Sequence, residues 1–222
     1  MGIKEIIKAI LDLFSKTNIE ISKEDYWNNR WTKNQVVYKA QGTLMKDPRN
    51  LIFNKSHVLK QTAFQLAGKT DEETAMNVLN WVHKNCKYVG DITVHNTAEY
   101  WQDPEETFQR LTGDCEDGAL LILSLMRIAG VPAYRVKLCA GNVEYNNGTT
   151  GHAYVIFLRD DDTWCILDWC YYYDPTEIKF RIQHKDDKRY KDIWWTCNDE
   201  FTWAQSNTII GESTSVKSRR KK

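Results

Sequence analysis

The stretch Gly113-Asp114-Cys115-Glu116-Asp117-Gly118 places a thiol where a polar turn runs into an apolar segment that continues to Gly130. Attack on a carbonyl needs the thiolate, and a free cysteine, with an ordinary pKa of about 8.5, is mostly protonated near neutrality. Two devices favour the anion here. A helix opening at Cys115 aims unpaired N–H groups and the positive end of its dipole at the sulfur. A histidine can take the proton or pair with the thiolate as imidazolium. That histidine needs an acceptor on its other ring nitrogen to hold its tautomer and orientation. Of the five histidines, His152 is the best placed, because it follows Gly151 and opens the strand-like run His-Ala-Tyr-Val-Ile-Phe. Asp168 closes the next such run, Trp-Cys-Ile-Leu-Asp. Folding the two runs together about the Asp160-Asp161-Asp162 turn sets residue 152 opposite residue 168 or 169. Taken singly, each has a plain structural reading: a core cysteine, a satisfied strand histidine, a turn aspartate. Asp160, Asp161, Asp162 and Asp174 stay open as rival acids.

The elements that must position these residues are legible in part. Ala119 to Ala129 is apolar almost all round, which marks a buried helix, closed by Gly130 and Pro132. Ala133–Ala140, His152–Leu158 and Thr163–Asp168 read as a three-stranded meander, with Gly141–Gly151 as turn and Asn147-Gly148 as a hairpin dipeptide. Upstream, Thr70 and Glu73 form a capping-box pattern ahead of a helix over 71–86. Asp103-Pro104 opens a short helix to about Leu111. Ser56 caps a helix to about Leu66. A short strand is expected at Gln35–Ala40, loop at Val89–Tyr100, and a further strand from the alternation of Ile178, Phe180 and Ile182. Ile3, Ile6, Ile7, Ile10, Leu11 and Phe14 give an amphipathic helix that packs on its own domain.

Composition narrows the class. With 222 residues, 42% hydrophobic and 27% charged, the chain is an ordinary globular one with a proper core. Thirty Lys+Arg balance thirty Asp+Glu, so bulk charge calls for neither a nucleic acid nor a membrane surface. The six cysteines lack a secretory signal upstream and read as mostly free thiols in a reducing compartment; the expected location is cytoplasmic. No apolar run approaches the roughly 20 residues that span a bilayer. No Cys-x-x-Cys is present, which speaks against a thiol redox protein, and no spacing suits zinc. The basic ending Lys217-Ser218-Arg219-Arg220-Lys221-Lys222 reads as a solvated tail.

Gly-Asp-Cys115-Glu-Asp, the apolar helix after it, Gly130-Val-Pro-Ala-Tyr134, Gly151-His152-Ala-Tyr-Val155 and Trp164-Cys-Ile-Leu-Asp168 together resemble the transglutaminase-like superfamily. Tyr100-Trp101-Gln102-Asp103-Pro104-Glu105-Glu106-Thr107 looks like the segment preceding the nucleophile in its bacterial transglutaminase-like cysteine proteinase branch. The resemblance spans about residues 71–175. It implies an α+β, papain-like fold in which a helix carrying Cys115 packs on an antiparallel sheet carrying His152 and Asp168. It also implies their roles as nucleophile, general base and orienting acid. Residues 1–70 are then a mainly helical extension, 176–210 a strand and aromatic segment packing on the core, and 211–222 a disordered tail. An oxyanion hole would draw one donor from the Cys115 backbone and a second from Trp101 or Gln102. The same branch includes calcium-binding proteinases whose ligands flank the nucleophile, where Asp114 and Glu116 stand here. Two carboxylates fall short of the 6–8 oxygens calcium takes, so no cofactor is required and calcium is an option.

The expected function is a thiol hydrolase, a cysteine peptidase or amidase, acting on a protein or peptide through a thioester. A transglutaminase shares the chemistry up to that thioester, and the sequence does not choose between water and an amine as acceptor. A non-catalytic interaction module on the same fold is the third reading. Oligomeric state has no signature in the sequence.

Overall fold

The structure is a computed structural model that describes residues 21–40, 44–52 and 56–210. The amphipathic helix expected over Ile3–Phe14 and the basic tail lie outside the described residues. The chain divides into two units, Met1–Arg30 and Trp31–Lys222. In the first, helix α1 (Lys23–Asn29) is capped by Ser22, whose hydroxyl accepts the Asp25 N–H at 3.0 Å.

The second unit contains the remaining elements. They are β1 (Val36–Ala40), β2 (Leu44–Lys46), α2 (Arg49–Ile52), α3 (His57–Leu66), α4 (Asp71–Asn85), β3 (Lys87–Tyr88), α5 (Asp91–His95), α6 (Pro104–Arg110), β4 (Thr112–Gly113) and α7 (Cys115–Ile128). After these come β5 (Val136–Tyr145), β6 (Gly148–Leu158), β7 (Trp164–Leu167), β8 (Trp195–Cys197), β9 (Thr202–Ala204) and β10 (Thr208–Ile210). An antiparallel sheet of order β7-β6-β5-β8-β9 forms the centre, and β10-β1-β2 is a smaller sheet in which β1 runs parallel to β10. The layout is the α+β one the resemblance implied.

Local signals account for the helices. Thr70 accepts the Glu73 N–H at 3.1 Å and starts α4. Asp103 accepts the N–H groups of Glu105 and Glu106 at 2.9 and 3.0 Å, and Pro104 takes the first turn of α6. α7 is buried from Glu116 through Met126, and Gly130 ends it at φ 102°. Leu120, Leu121, Ile122, Leu123 and Leu125 are fully buried and join Val78, Leu79 and Val82 of α4 with Val155 and Phe157 of β6 in one cluster. Each such side chain contributes about 1.5–3 kcal/mol. The alternate β6 residues, Tyr154 and Ile156, point to a second cluster with Cys139, Val143, Ile166 and Tyr190. The sheet is therefore covered on both faces.

Four expectations shift. β5 and β6 run on through the stretch read as turn, and the hairpin bends at Asn146-Asn147, one residue early, with φ of 50° and 63°. Asparagine tolerates that left-handed region. The β6–β7 pairing sets Val155 opposite Leu167, a register that would carry residue 170, not 168, opposite residue 152. The loop Arg159–Thr163 is wider than a tight turn about Asp161, and Asp162 sits at φ 63° within it. Residues Ile178–Phe180 form a 3-10 turn instead of a strand: Ile178 is buried, but Phe180 and Ile182 are exposed. The expected loop after Val89 contains α5.

Candidate active site

Cys115 is the first residue of α7, and Asp114 is its N-cap. β3 and β4 fix the approach to the helix, with Tyr88 paired to Gly113 and Val89 N–H donating to Gly113 O at 2.9 Å. Asp117, one turn into the helix, is the hub. Its Oδ1 accepts the Gln102 N–H at 2.8 Å, and its Oδ2 accepts Gln102 Nε2 at 2.7 Å and the Asp114 N–H at 3.1 Å. A Cβ on Gly113 would lie 2.6 Å from Asp117 Cβ, so the close approach of that side chain requires glycine there.

His152 lies in β6 and Asp168 just past the end of β7; both are buried. His152 Nε2 meets Asp168 Oδ2 at 2.8 Å. Asp168 compensates for the register difference by leaving the strand, with its Oδ1 accepting the N–H groups of Cys170 and Tyr171 at 3.1 and 3.2 Å. Burial pushes this carboxyl up. The His152 hydrogen bond and charge, then the Tyr190 hydroxyl, more than offset that and hold it below the usual carboxylate range. His152 Nδ1 is buried without a hydrogen-bond partner. Tyr171 stacks on the imidazole at 4.1 Å, 2° from parallel, and Tyr145 stacks on Tyr171 at 4.0 Å.

The Cys115 thiol donates to Glu116 Oε2 at 3.2 Å. Burial, then the charges of Glu116 and Asp114, push it well above its ordinary value, against a favourable hydrogen bond from the Ala153 backbone. This is the reverse of the lowering expected from the helix start. The acids around Cys115 outnumber those the sequence singled out. Carboxylate oxygens of Asp91, Asp114 and Asp117 lie within 4.8 Å of one another, as do those of Asp91, Glu99 and Glu116. Burial first, and mutual repulsion next, raise Asp114 to about 6, Asp117 to about 8 and Glu116 well above the usual range. Asp114 Oδ1 and Glu116 Oε1 are buried without a hydrogen-bond partner. Orphaned, crowded carboxylate oxygens suit a hard divalent cation.

Trp101 and Gln102, the expected oxyanion donors, direct their side chains to other partners. The Trp101 Nε1–H donates to Glu99 Oε1 at 2.8 Å. Gln102 is fully buried, and its Nε2 is spent on Asp117 and on Thr112 O at 3.1 Å. A buried carboxylate must find donors, and Asp117 has taken these.

Residues 60–169 match the model of the transglutaminase-like superfamily. The chain carries a transglutaminase-like superfamily domain. A UPF0252 protein of Archaeoglobus fulgidus is 28% identical over 166 residues, covering 67% of this chain and 48% of the relative; the chain spans about half the length of that curated relative. Legionella pneumophila LapG in its calcium-bound structure matches with a TM-score of 0.53 at 18% identity, over 67% of this chain and 76% of that one. EGTA-treated LapG matches at 0.52, over 71% and 83%. At such identity the likeness is one of fold, the helix-on-sheet core of transglutaminase-like and papain-like proteins.

Sequence reading missed Asp117, Asp91 and Trp169 within the matched segment and Tyr171 just past it. Asp117 stood inside the motif, and its spacing of three from Asp114 was the available signal of a capping partner. Trp169 follows Asp168 and donates its Nε1–H to Cys115 O at 3.3 Å, tying the start of α7 to the end of β7. Asp91 and Tyr171 are brought in by tertiary folding, for which no local pattern exists.

Proposed function

We propose that the protein is a thiol hydrolase, a cysteine peptidase or amidase that opens an amide or isopeptide bond of a protein or peptide through a thioester. Cys115 is the nucleophile, His152 the general base through Nδ1, and Asp168 the acid that orients it. In this reading residues 71–175 are the catalytic core and 176–210 complete it. One observation carries it: a buried imidazole held on its Nε2 side by an ionised carboxylate, with Nδ1 unpartnered. The Ala153 N–H, next to His152, favours the Cys115 thiolate. The thiol now turned to Glu116 reaches reactivity by turning to His152. Protonated Nδ1 then supplies the leaving amine with its proton, and the Cys115 N–H at the start of α7 is the donor nearest the developing oxyanion. Water releases the acid; an amine acceptor on the same thioester would make the reaction a transglutamination.

LapG has been seen calcium-bound. Here Asp114 and Glu116, with Asp91 beside them, would hold calcium. A bound cation would neutralise the acidic charges that, after burial, push the thiol up.

The test is alkylation by iodoacetamide at about pH 6, below the ordinary thiol pKa, with sites mapped by mass spectrometry. Cys115 is expected to label ahead of the other five cysteines, faster with calcium than with chelator, and Cys115→Ala removes that label while the fold persists. His152→Ala moves the reaction to higher pH. Preferential labelling of another cysteine, or a His152→Ala profile identical to the parent's, overturns the reading. Peptide and isopeptide substrates, each with and without added amine, then separate hydrolysis from transfer.

A further inference from the structure

Residues 176–210 lie beyond the matched family segment, and sequence reading gave them no part in the chemistry. One of them reaches the centre of the site. The Tyr190 hydroxyl donates to Asp168 Oδ2 at 2.8 Å, the same oxygen that meets His152 Nε2 at 2.8 Å. We propose that Tyr190 is a positioning residue that locks the Asp168 carboxylate and so keeps His152 aligned toward Cys115; this rests on the thiol-hydrolase reading above.

The geometry is that of a fixed strut. The residues either side of Tyr190 are clipped to β5, Glu144 N–H to Arg189 O at 2.7 Å and Lys191 N–H to Asn142 O at 2.8 Å. The Tyr190 N–H closes a turn on Asp187 O at 3.2 Å, and Arg189 is held to Asp187 at 2.6 Å. The ring is buried, edge-on to Tyr154 with centroids 4.6 Å apart. Neither backbone nor ring has room to swing, so the hydroxyl is delivered to one place.

That place matters because of how Asp168 is satisfied. The loop after β7 holds Oδ1 through two N–H groups. Oδ2 has His152 and Tyr190. With both oxygens pinned, the carboxylate cannot rotate about its terminal bond, and the lone pair aimed at Nε2 is fixed. Without the phenol, Oδ2 keeps only the imidazole, and each is free to drift with the other. The ionisable groups facing the pair are His152 and Cys170 on the Asp168 side, and Tyr154, Tyr172, His184, Asp187 and Arg189 around Tyr190. The Arg189 charge is already taken by Asp187, so the phenol is the donor left to balance Oδ2.

The test is the pH profile of Cys115 alkylation by iodoacetamide, in calcium, for the full chain, Tyr190→Phe and Tyr154→Phe. Tyr154→Phe removes a hydroxyl from the same ring cluster, one that contacts His184 at 3.2 Å and not Asp168. Loss of a hydrogen bond to a charged group is expected to cut the rate in Tyr190→Phe about 10-fold at about pH 6. On the alkaline plateau of the parent's own profile, where the thiolate no longer depends on His152, the rate stays that of the parent. Tyr154→Phe keeps the parent profile at both ends. Equal thermal unfolding of the two variants confirms that both fold. If either variant fails to fold, the His152 imidazole proton resonances of the folded parent, followed against pH with Tyr190 replaced by 3-fluorotyrosine, read the same coupling. Superimposable profiles for Tyr190→Phe and parent, or resonances insensitive to the fluorinated phenol, overturn this proposal alone. A parent chain without reactivity at about pH 6 overturns the thiol-hydrolase reading and this one with it.

Discussion

Lys137 is fully buried in β5, and its ammonium nitrogen has no hydrogen-bond partner. It sits over the Trp203 ring, 3.2 Å from the centroid, with Trp164 and Trp31 rings at 5.7 and 5.6 Å. Two effects oppose each other. Burial pushes the amine down to about 7, while the ring faces attract the cation by about 2 kcal/mol when water is excluded. The unfolded lysine titrates near about 10.4. Between about 7 and about 10.4 the unfolded chain holds a proton that the folded one has released, so stability rises with pH across that window. Lys137→Met should therefore stabilise the protein by about 1–3 kcal/mol at neutral pH and below. The gain should fade toward about pH 10. Urea unfolding at both pH values checks it: a gain that persists at the higher pH means that packing, and not ionisation, is responsible.

At the scale of elements, α7 and the end of β7 meet through Gly118 and Trp169. A Cβ at Gly118 would lie 2.2 Å from Trp169 Cε2 and 2.3 Å from Nε1. Alanine in a helix ordinarily gains about 1 kcal/mol over glycine. Here the ring must move, and overpacking costs about 1–3 kcal/mol. Gly118→Ala is thus expected to destabilise on balance and to slow Cys115 alkylation, since Trp169 precedes the loop that holds Asp168; unchanged melting and labelling would remove the coupling. The same contrast explains what the sequence could say. Thr70 with Glu73 and Asp103 with Pro104 were readable because their bonds close within four residues. The all-apolar run of α7 was readable because burial on every side leaves a composition. The turn Ile178–Phe180 was misread because three alternating apolar residues do not say which face is covered. In the structure Arg181 is buried along with Ile178, donating to Ile166 O at 2.8 Å. Cys115, His152 and Asp168 were legible as a motif. Tyr190, 22 residues past Asp168, and Asp91, 24 before Cys115, were not, because only tertiary contacts bring them in.

For the whole molecule, the crowded acids at the start of α7 set a thermodynamic account that a cation can change. A ligand that binds only the folded state stabilises it by mass action, by about 2.7 kcal/mol at 100 times its Kd. Thermal unfolding should rise with calcium over chelator, and the combined Asp114→Asn and Glu116→Gln variant should lose that rise; an equal rise in the variant would place the ion elsewhere. No described helix is long and apolar enough to cross a membrane.

The small sheet joins distant parts of the second unit. β1 pairs parallel with β10, Val36 opposite Thr208 and Tyr38 opposite Ile210. While the chain is being made, β1 emerges with β2 but without β10. At about 5–20 residues per second, roughly 170 further residues keep it waiting on the order of 10–30 s. So distant a pairing also closes late in refolding, after the loop entropy has been met. During that interval Val36 and Tyr38, both buried in the finished fold, are available to any other strand in the cell. The ribosome-bound chain, more than the finished protein, is where this fold is open to aggregation and to chaperone capture.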